Sequence, residues 1–273
     1  MTNYARNTQN RAGARSPVTW IVLLTLVAFV GAFVLPPIPQ SVAYHDFADH
    51  RHALGVANFL DVVSNAAFLV VGLLGLLLIA SGRAFFEYRA ERWPYVIFFI
   101  GVTLTAAGSA YYHLTPDNET LFWDRLPMTI AFMGLVCGQI VDRVSVRGGL
   151  RLLAPALIVG AASVIYWRWT ERLGVGNVLP YGILQGYSVL VLLLLAWFNP
   201  SRYTRGNDIY WVFGWYMLSK ALETFDHQLM WLDHGIVSGH TLKHVAAAIA
   251  GLVVCRLLMK RTLRPVLGGS NHS

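Results

Sequence analysis

The chain returns again and again to stretches of about 20 residues with few or no charges, the length that carries an α-helix across roughly 30 Å of hydrocarbon. Eight are read, at about 18–35, 59–80, 94–113, 124–142, 152–169, 180–198, 208–229 and 240–259. They use up most of the 273 residues and leave little for a separate soluble domain. Only 13% of residues are charged and 56% are hydrophobic, whereas soluble domains carry about a quarter charged residues. The mean hydropathy is +0.51. In lipid every backbone polar group must be satisfied within its own segment, so these runs imply an all-α integral membrane protein.

The net charge of +7 would suit a nucleic-acid partner in a soluble chain. Here its distribution argues otherwise. Fifteen of the 21 Lys and Arg residues fall on one side of the expected bundle: Arg6, Arg11, Arg15, Arg83, Arg89, Arg92, Arg143, Arg147, Arg151, Arg202, Arg205, Arg256, Lys260, Arg261 and Arg264. The other side has Arg51, Arg168 and Arg172. Basic residues concentrate in cytoplasmic loops, so both termini are expected in the cytoplasm and no nucleic-acid partner is expected. The first span has a second reading. Arg6, Arg11 and Arg15 before an apolar run, with Ser41-Val42-Ala43 after it, also fit a signal peptide and its cleavage site. Cys137 and Cys255 fall inside spans and read as buried small hydrophobes.

The histidines carry the chemical information. Eight of nine (His45, His50, His52, His113, His227, His234, His240 and His244) map to the non-cytoplasmic half, and His272 lies in the tail. His113, His240 and His244 sit at or inside the outer ends of apolar helices, where an ionisable group needs a partner or a task. His240 and His244 are four apart, so both imidazoles lie on one helix face, as a shared metal requires. Ser109 and His113 repeat the spacing on the third span. The turn residues Leu114-Thr115-Pro116-Asp117-Asn118 reverse the chain and bring Asp124 back to the level of His113. Asp124 alone also reads as a partner for Arg125 or as a carboxylate favoured by the helix dipole. Together, three imidazoles, a carboxylate and a hydroxyl can converge at one depth. Three protein ligands and an open position make the pattern of a catalytic zinc site.

A second acidic set, Asp46, Asp49, Asn58 and the deeper Asp61, has the oxygen ligands that hard cations prefer; Asp61 equally suits pairing with Arg51 or bonding within the bundle. Ser64-Asn65 reads as helix-packing polar residues. Lys220 and Glu223 are spaced to pair with each other, with Asp226 and His227 following. Tyr111, Tyr112, Trp123 and Trp231 read as an interfacial aromatic belt.

At these residues the sequence resembles the alkaline ceramidase family, within the wider CREST group of membrane hydrolases that includes adiponectin-receptor-type proteins. The resemblance covers about residues 44–259. It rests on Asn58-Phe59-Leu60-Asp61-Val62-Val63-Ser64-Asn65, on Ser109-x-x-x-His113, on Asp124-Arg125-Leu126-Pro127-Met128 and on His240-x-x-x-His244. It implies a seven-helix CREST-type bundle over 44–259 with one extra N-terminal transmembrane helix at 18–35. A cytoplasmic tail at 1–17 and a basic cytoplasmic tail at 260–273 flank them.

The resemblance further implies zinc on His113, His240 and His244, with Ser109 and Asp124 as catalytic residues. The family's calcium site maps onto Asp46, Asp49 and Asn58. Here the match is poorer: Arg51 stands where an oxygen ligand is expected and Asn58 replaces an acidic residue, so calcium dependence is expected to be weak or absent. The implied activity is zinc-dependent hydrolysis of the N-acyl bond of ceramide or a related N-acylated lipid drawn from the bilayer. The expected setting is a bacterial inner membrane with the site facing the periplasm or exterior. A receptor-like lipid- and zinc-binding protein without turnover is the alternative. A proton-coupled transporter would place charges near the midplane between repeats, and a haem protein would want facing histidines deeper in the bundle; neither pattern is present.

Overall fold

The computed structural model describes residues 17–265; the N-terminal tail before Pro17 and the end of the C-terminal tail, with His272, lie outside the described residues. Among the described residues there are ten α-helices and no strand. They are α1 (Pro17–Val34), α2 (Phe59–Val63), α3 (Ala66–Ala80), α4 (Arg92–Leu114), α5 (Asn118–Arg143), α6 (Val146–Arg172), α7 (Leu179–Phe198), α8 (Asp208–Thr224), α9 (Asp226–Leu232) and α10 (Gly239–Lys260).

Six helical segments among these residues are long and apolar enough to cross a membrane: Phe59–Ala80, Arg89–Leu114, Asn118–Arg143, Val146–Arg172, Leu179–Phe198 and Gly239–Lys260. The all-α membrane architecture expected from the sequence is therefore found. Two of the eight expected spans fall short of that measure. The apolar part of α1 is shorter. The run 208–229 divides into α8 and α9, because the Asp226 carboxylate turns to other partners and Asp208, Lys220 and Glu223 lower the apolar character of α8.

Each long helix packs on the next from α3 to α8, and α10 packs on both α8 and α3, closing a ring of seven. Helix α1 lies outside this ring against α7, where Thr25 and Tyr187 share a hydrogen bond of 2.8 Å. The outer faces present Val70, Leu77, Ile158 and Trp197, all exposed and apolar, as a lipid-facing surface requires.

Local sequence sets the ends that matter. Asp117 caps α5 by accepting from the Thr120 amide at 2.7 Å, while the Thr120 hydroxyl accepts from the Asp117 amide at 3.2 Å. This capping box fixes where α5 begins. Ser238 caps α10 in the same way, accepting from the Thr241 amide at 2.9 Å. Between α2 and α3 the helix breaks at Ser64–Asn65, where both side chains donate to the Asp61 carbonyl, at 3.1 and 2.7 Å, and compete with the backbone for it.

Two glycines allow backbones to touch. A Cβ on Gly108 would overlap the Trp123 carbonyl, whose carbon would stand 2.7 Å away. A Cβ on Gly239 would overlap the Leu222 carbonyl and approach the Asp226 Cα to 2.8 Å. The first contact brings α4 against α5, the second α10 against α8.

At the end of the bundle where α4 begins and α5 and α10 finish, a second polar layer is buried. Arg261 pairs with Asp142 at 2.7 Å, and Asp142 also accepts from the Tyr95 hydroxyl at 2.6 Å. Arg143 donates to Gln139, to the Asn199 carbonyl and to the Gly206 carbonyl. Glu91 is held by Arg202 and by the Tyr203 hydroxyl. Read as sequence, Arg143, Arg202 and Arg261 were loop charges; in the fold they clamp the helix ends.

Candidate metal centre and its cavity

The opposite end of the bundle gathers the residues singled out by spacing. His113 occupies the last turn of α4, with Ser109 one turn deeper. His240 and His244 occupy the first two turns of α10. All four are buried. The three imidazoles offer ligand nitrogens that lie within 4.8 Å of one another, the one such His, Cys, Asp or Glu group among the described residues.

The donor set suits a metal ion. Nε2 of His113 faces Nε2 of His240 at 3.3 Å. Two nitrogens bound to a shared tetrahedral zinc, each about 2.0–2.1 Å from it, stand apart by about that distance. Nε2 of His244 is buried without a hydrogen-bond partner, a costly state for a polar atom unless an ion takes the lone pair.

The surroundings fix the rings. Ser64 gives its hydroxyl proton to the Asp61 carbonyl and meets Nδ1 of His244 at 2.7 Å. It therefore accepts from Nδ1–H and leaves Nε2 as the free lone pair, the orienting arrangement usual for metal-ligating histidines. Asp226 receives the His240 amide at 2.7 Å and the Ala48 amide at 2.9 Å. It thereby joins the start of α10 to the segment before α2. From that segment Phe47 closes over the triad, with ring centroids 4.7 Å from His113 and 4.4 Å from His240.

Asp124, in the second turn of α5, is half-buried and lines the same cavity as Ser109. Pairing of Asp124 with Arg125 does not occur among the described ion pairs. Arg125 turns away to Gln40, at 2.6 Å, and sits against the rings of Tyr44, Trp167 and Tyr181. The cavity has a volume of about 380 Å³. Its polar end is lined by Ser109, Asp124, Arg125, Glu223, Lys243 and His244; Phe98, Val102, Leu135, Ile209 and Val212 line the rest.

The acidic set before α2 is arranged differently. Asp46 is exposed, within 4 Å of His50 and His227 at its carboxylate. Asp49 is fully buried, and both its oxygens are taken by Arg51, at 2.7 and 2.9 Å. Arg51 also donates to the carbonyls of Gly235 and Ile236. Asn58 spends its amide on the His113 carbonyl at 2.9 Å. Asp61 does not pair with Arg51; it accepts from Ser238 and Thr241 at 3.0 and 2.6 Å, tying α2 to the start of α10.

Several contributors were not assigned to the site from sequence. Tyr112, read as part of an aromatic belt, is buried against His113 and bonds His45 at 2.8 Å; Tyr111, Trp123 and Trp231 are exposed. Ser64, read as a packing residue, orients His244. Lys243, whose signal was a charge between two histidines in an apolar helix, lines the cavity and pairs with Glu223 at 2.7 Å. Phe47 had no signal beyond its place in a loop.

A family model described as Ceramidase matches residues 43–260. The chain belongs to the ceramidase family. The match spans all three histidines, Ser109 and Asp124 and excludes α1. Ceramidase membership brings hydrolase chemistry at the amide bond of a membrane lipid. No curated protein and no solved structure matches the chain.

Proposed function

We propose that this ceramidase-family chain is a zinc-dependent hydrolase that cleaves the N-acyl bond of ceramide or a related N-acylated lipid, with His113, His240 and His244 holding the metal. The observation that carries this reading is the shared cavity: Ser109, Asp124 and His244 line one space together with apolar residues that include Phe98, Val102 and Leu135. An acyl chain fits the apolar part, and its amide then lies beside the polar groups.

A bound zinc ion supplies Lewis acidity and activates water near neutral pH. Asp124 accepts the proton from the attacking water and later delivers it to the departing amine nitrogen as the C–N bond breaks. The Ser109 hydroxyl, lining the same cavity as Asp124, donates to the carbonyl oxygen as negative charge develops there. Phe47 and the aromatic rings around it keep bulk water from the triad, which strengthens these interactions. Both proton movements thus run through Asp124 on α5, and the hydrogen bond to the developing oxyanion comes from Ser109 on α4.

The Lys and Arg asymmetry supports an outward-facing site. Setting aside Arg143, Arg202 and Arg261, which are engaged in buried bonds, twelve basic residues remain on one side against three on the other. We place both termini in the cytoplasm and the triad at the external face, in a bacterial inner membrane. Turnover of a fluorescent N-acyl lipid by purified protein, with metal content measured on the same sample, tests the proposal. Zinc-loaded protein that binds lipid but cleaves none across a broad panel would favour the receptor-like reading.

A further inference from the structure

The polar end of the cavity carries more positive charge than the proposed chemistry uses. Three cations line it, Arg125, Lys220 and Lys243, against two carboxylates, Asp124 and Glu223. Glu223 is contacted by both lysines, Lys243 at 2.7 Å and Lys220 more closely, and also receives the Tyr44 hydroxyl at 3.3 Å. One carboxylate therefore balances two ammonium groups.

Arg125 forms no ion pair among the described residues. It is buried, it donates to the neutral Gln40, and its Nη1 has no hydrogen-bond partner. The ring faces of Tyr44, Trp167 and Tyr181, with centroids 5.4, 4.4 and 4.9 Å from its Cζ, hold the guanidinium in place without neutralising it. A buried guanidinium is normally paired, since taking an unpaired charge out of water is expensive. Tyr44 touches both halves of the cluster, so Gln40, Arg125, Tyr44, Glu223 and the two lysines form one continuous polar rim.

We infer that this rim receives an anionic head group, so that the preferred substrate is an N-acylated amine lipid bearing a phosphate, sulfonate or carboxylate a few bonds from the scissile amide. The inference rests on the hydrolase reading above and names its substrate class. With the acyl chain among Phe98, Val102, Leu135, Ile209 and Val212 and the amide at Ser109 and Asp124, the amine side of the lipid faces Arg125 and the lysines. Charge-assisted bonds to an oxyanion would complete the donors left open there, and Arg125 would supply the directional part. Neutral ceramide offers only hydroxyls to the same rim and leaves its charge unbalanced.

Excess positive charge also stabilises the developing oxyanion of any amide substrate, so overall rate is not the discriminating readout. The ratio between anionic and neutral substrates is. Wild-type protein in detergent is assayed with a fluorescent N-acyl-sphingosine, its 1-phosphate, and an N-acylglycine and N-acyltaurine of the same acyl length. The expected kcat/KM favours the anionic lipids by about 10–100-fold, the worth of one hydrogen bond to a charged group. Arg125→Gln should bring that ratio towards one, and Arg125→Lys should retain more of it. Lys220→Gln, at the half-exposed edge of the rim, tests the same ratio if Arg125→Gln does not fold. A preference shared by phosphate, sulfonate and carboxylate supports charge recognition, and a preference for one of them supports it and identifies the head group.

Neutral ceramide cleaved as well as the anionic lipids, with a ratio that Arg125→Gln and Lys220→Gln leave unmoved, would overturn the inference while leaving the hydrolase reading intact. If no amide lipid is cleaved, the hydrolase reading fails instead. Calorimetric binding of an alkyl phosphate against the matching alcohol then tests the rim: tighter binding of the phosphate, lost in Arg125→Gln, supports it, and equal binding overturns it.

Discussion

Gly108 packs so closely on the Trp123 carbonyl that no side chain fits between them, and each residue immediately precedes a member of the site, Ser109 on α4 and Asp124 on α5. Gly239 stands in the same relation to His240, pressed against the Leu222 carbonyl of α8. The site is thus assembled by backbone contacts that only glycine permits, one residue away from the chemistry.

Gly108→Ala is therefore expected to separate α4 from α5. Overpacking costs typically about 1–3 kcal/mol, and here the obstacle is backbone that cannot rotate aside, so the upper part of that range is expected. Thermal unfolding in detergent should show a clear loss for Gly108→Ala and Gly239→Ala. Gly214→Ala, where a Cβ would meet nothing within 4 Å, should unfold like wild type. Equal stability of all three would refute the assembly described.

Metal content tests the triad. Purified protein is expected to carry about one zinc, and His240→Ala or His244→Ala to lose most of it, because an open three-ligand site has none to spare. Ser64→Ala should weaken zinc binding by about 10–100-fold through loss of the bond that orients His244. Competition with a chelator measures all three; unchanged zinc in both histidine variants would remove the assignment.

Calcium is expected to matter little. Both oxygens of Asp49 are held by Arg51, which also binds the Gly235 and Ile236 carbonyls. Burial pushes the Asp49 carboxyl up, but the Arg51 hydrogen bonds outweigh it and hold it below the usual carboxylate range. A depressed folded-state pKa gives stability that is full above about 3.9 and is lost as pH falls through the folded value. Proteolytic resistance of the 46–58 segment should accordingly persist at pH 5, with or without a calcium chelator. A large, reversible effect of calcium on zinc-loaded protein would contradict this.

Orientation can be tested with reporters. Fusions after Arg147 and at the C-terminus should read cytoplasmic, and one in the 114–123 turn external. An external C-terminus would reverse the membrane placement of the triad.

How legible the site was in sequence depended on how regular its geometry is. His240 and His244, or Ser109 and His113, share a helix face by spacing alone, and a tight turn returns Asp124 to their level. All five map to the same end of the bundle. The helical spans were readable because lipid leaves an apolar run few alternatives. Bonds between distant segments were not. Phe47, Ser64, Asp226 and Arg125 act through partners on other elements, 178 residues away for Asp226 with Ala48, 180 for Ser64 with His244 and 85 for Arg125 with Gln40, and no local pattern marks them. Arg143 and Arg261 were misread because a basic residue at a helix end looks the same whether it faces water or, as here, bonds into the neighbouring helices.

The central claim is that Asp124 moves the protons of amide hydrolysis. Asp124→Asn is nearly isosteric and cannot accept the proton of water, so it should keep zinc and fold while losing about 10²–10⁴-fold in turnover of an N-acyl lipid; Ser109→Ala, by comparison, should lose roughly 10²–10³-fold. Turnover and zinc content of Asp124→Asn, measured together on one purified sample, give the most direct test. Full zinc with turnover reduced to that extent is the expected result, and wild-type turnover in the zinc-loaded variant would contradict the role of Asp124.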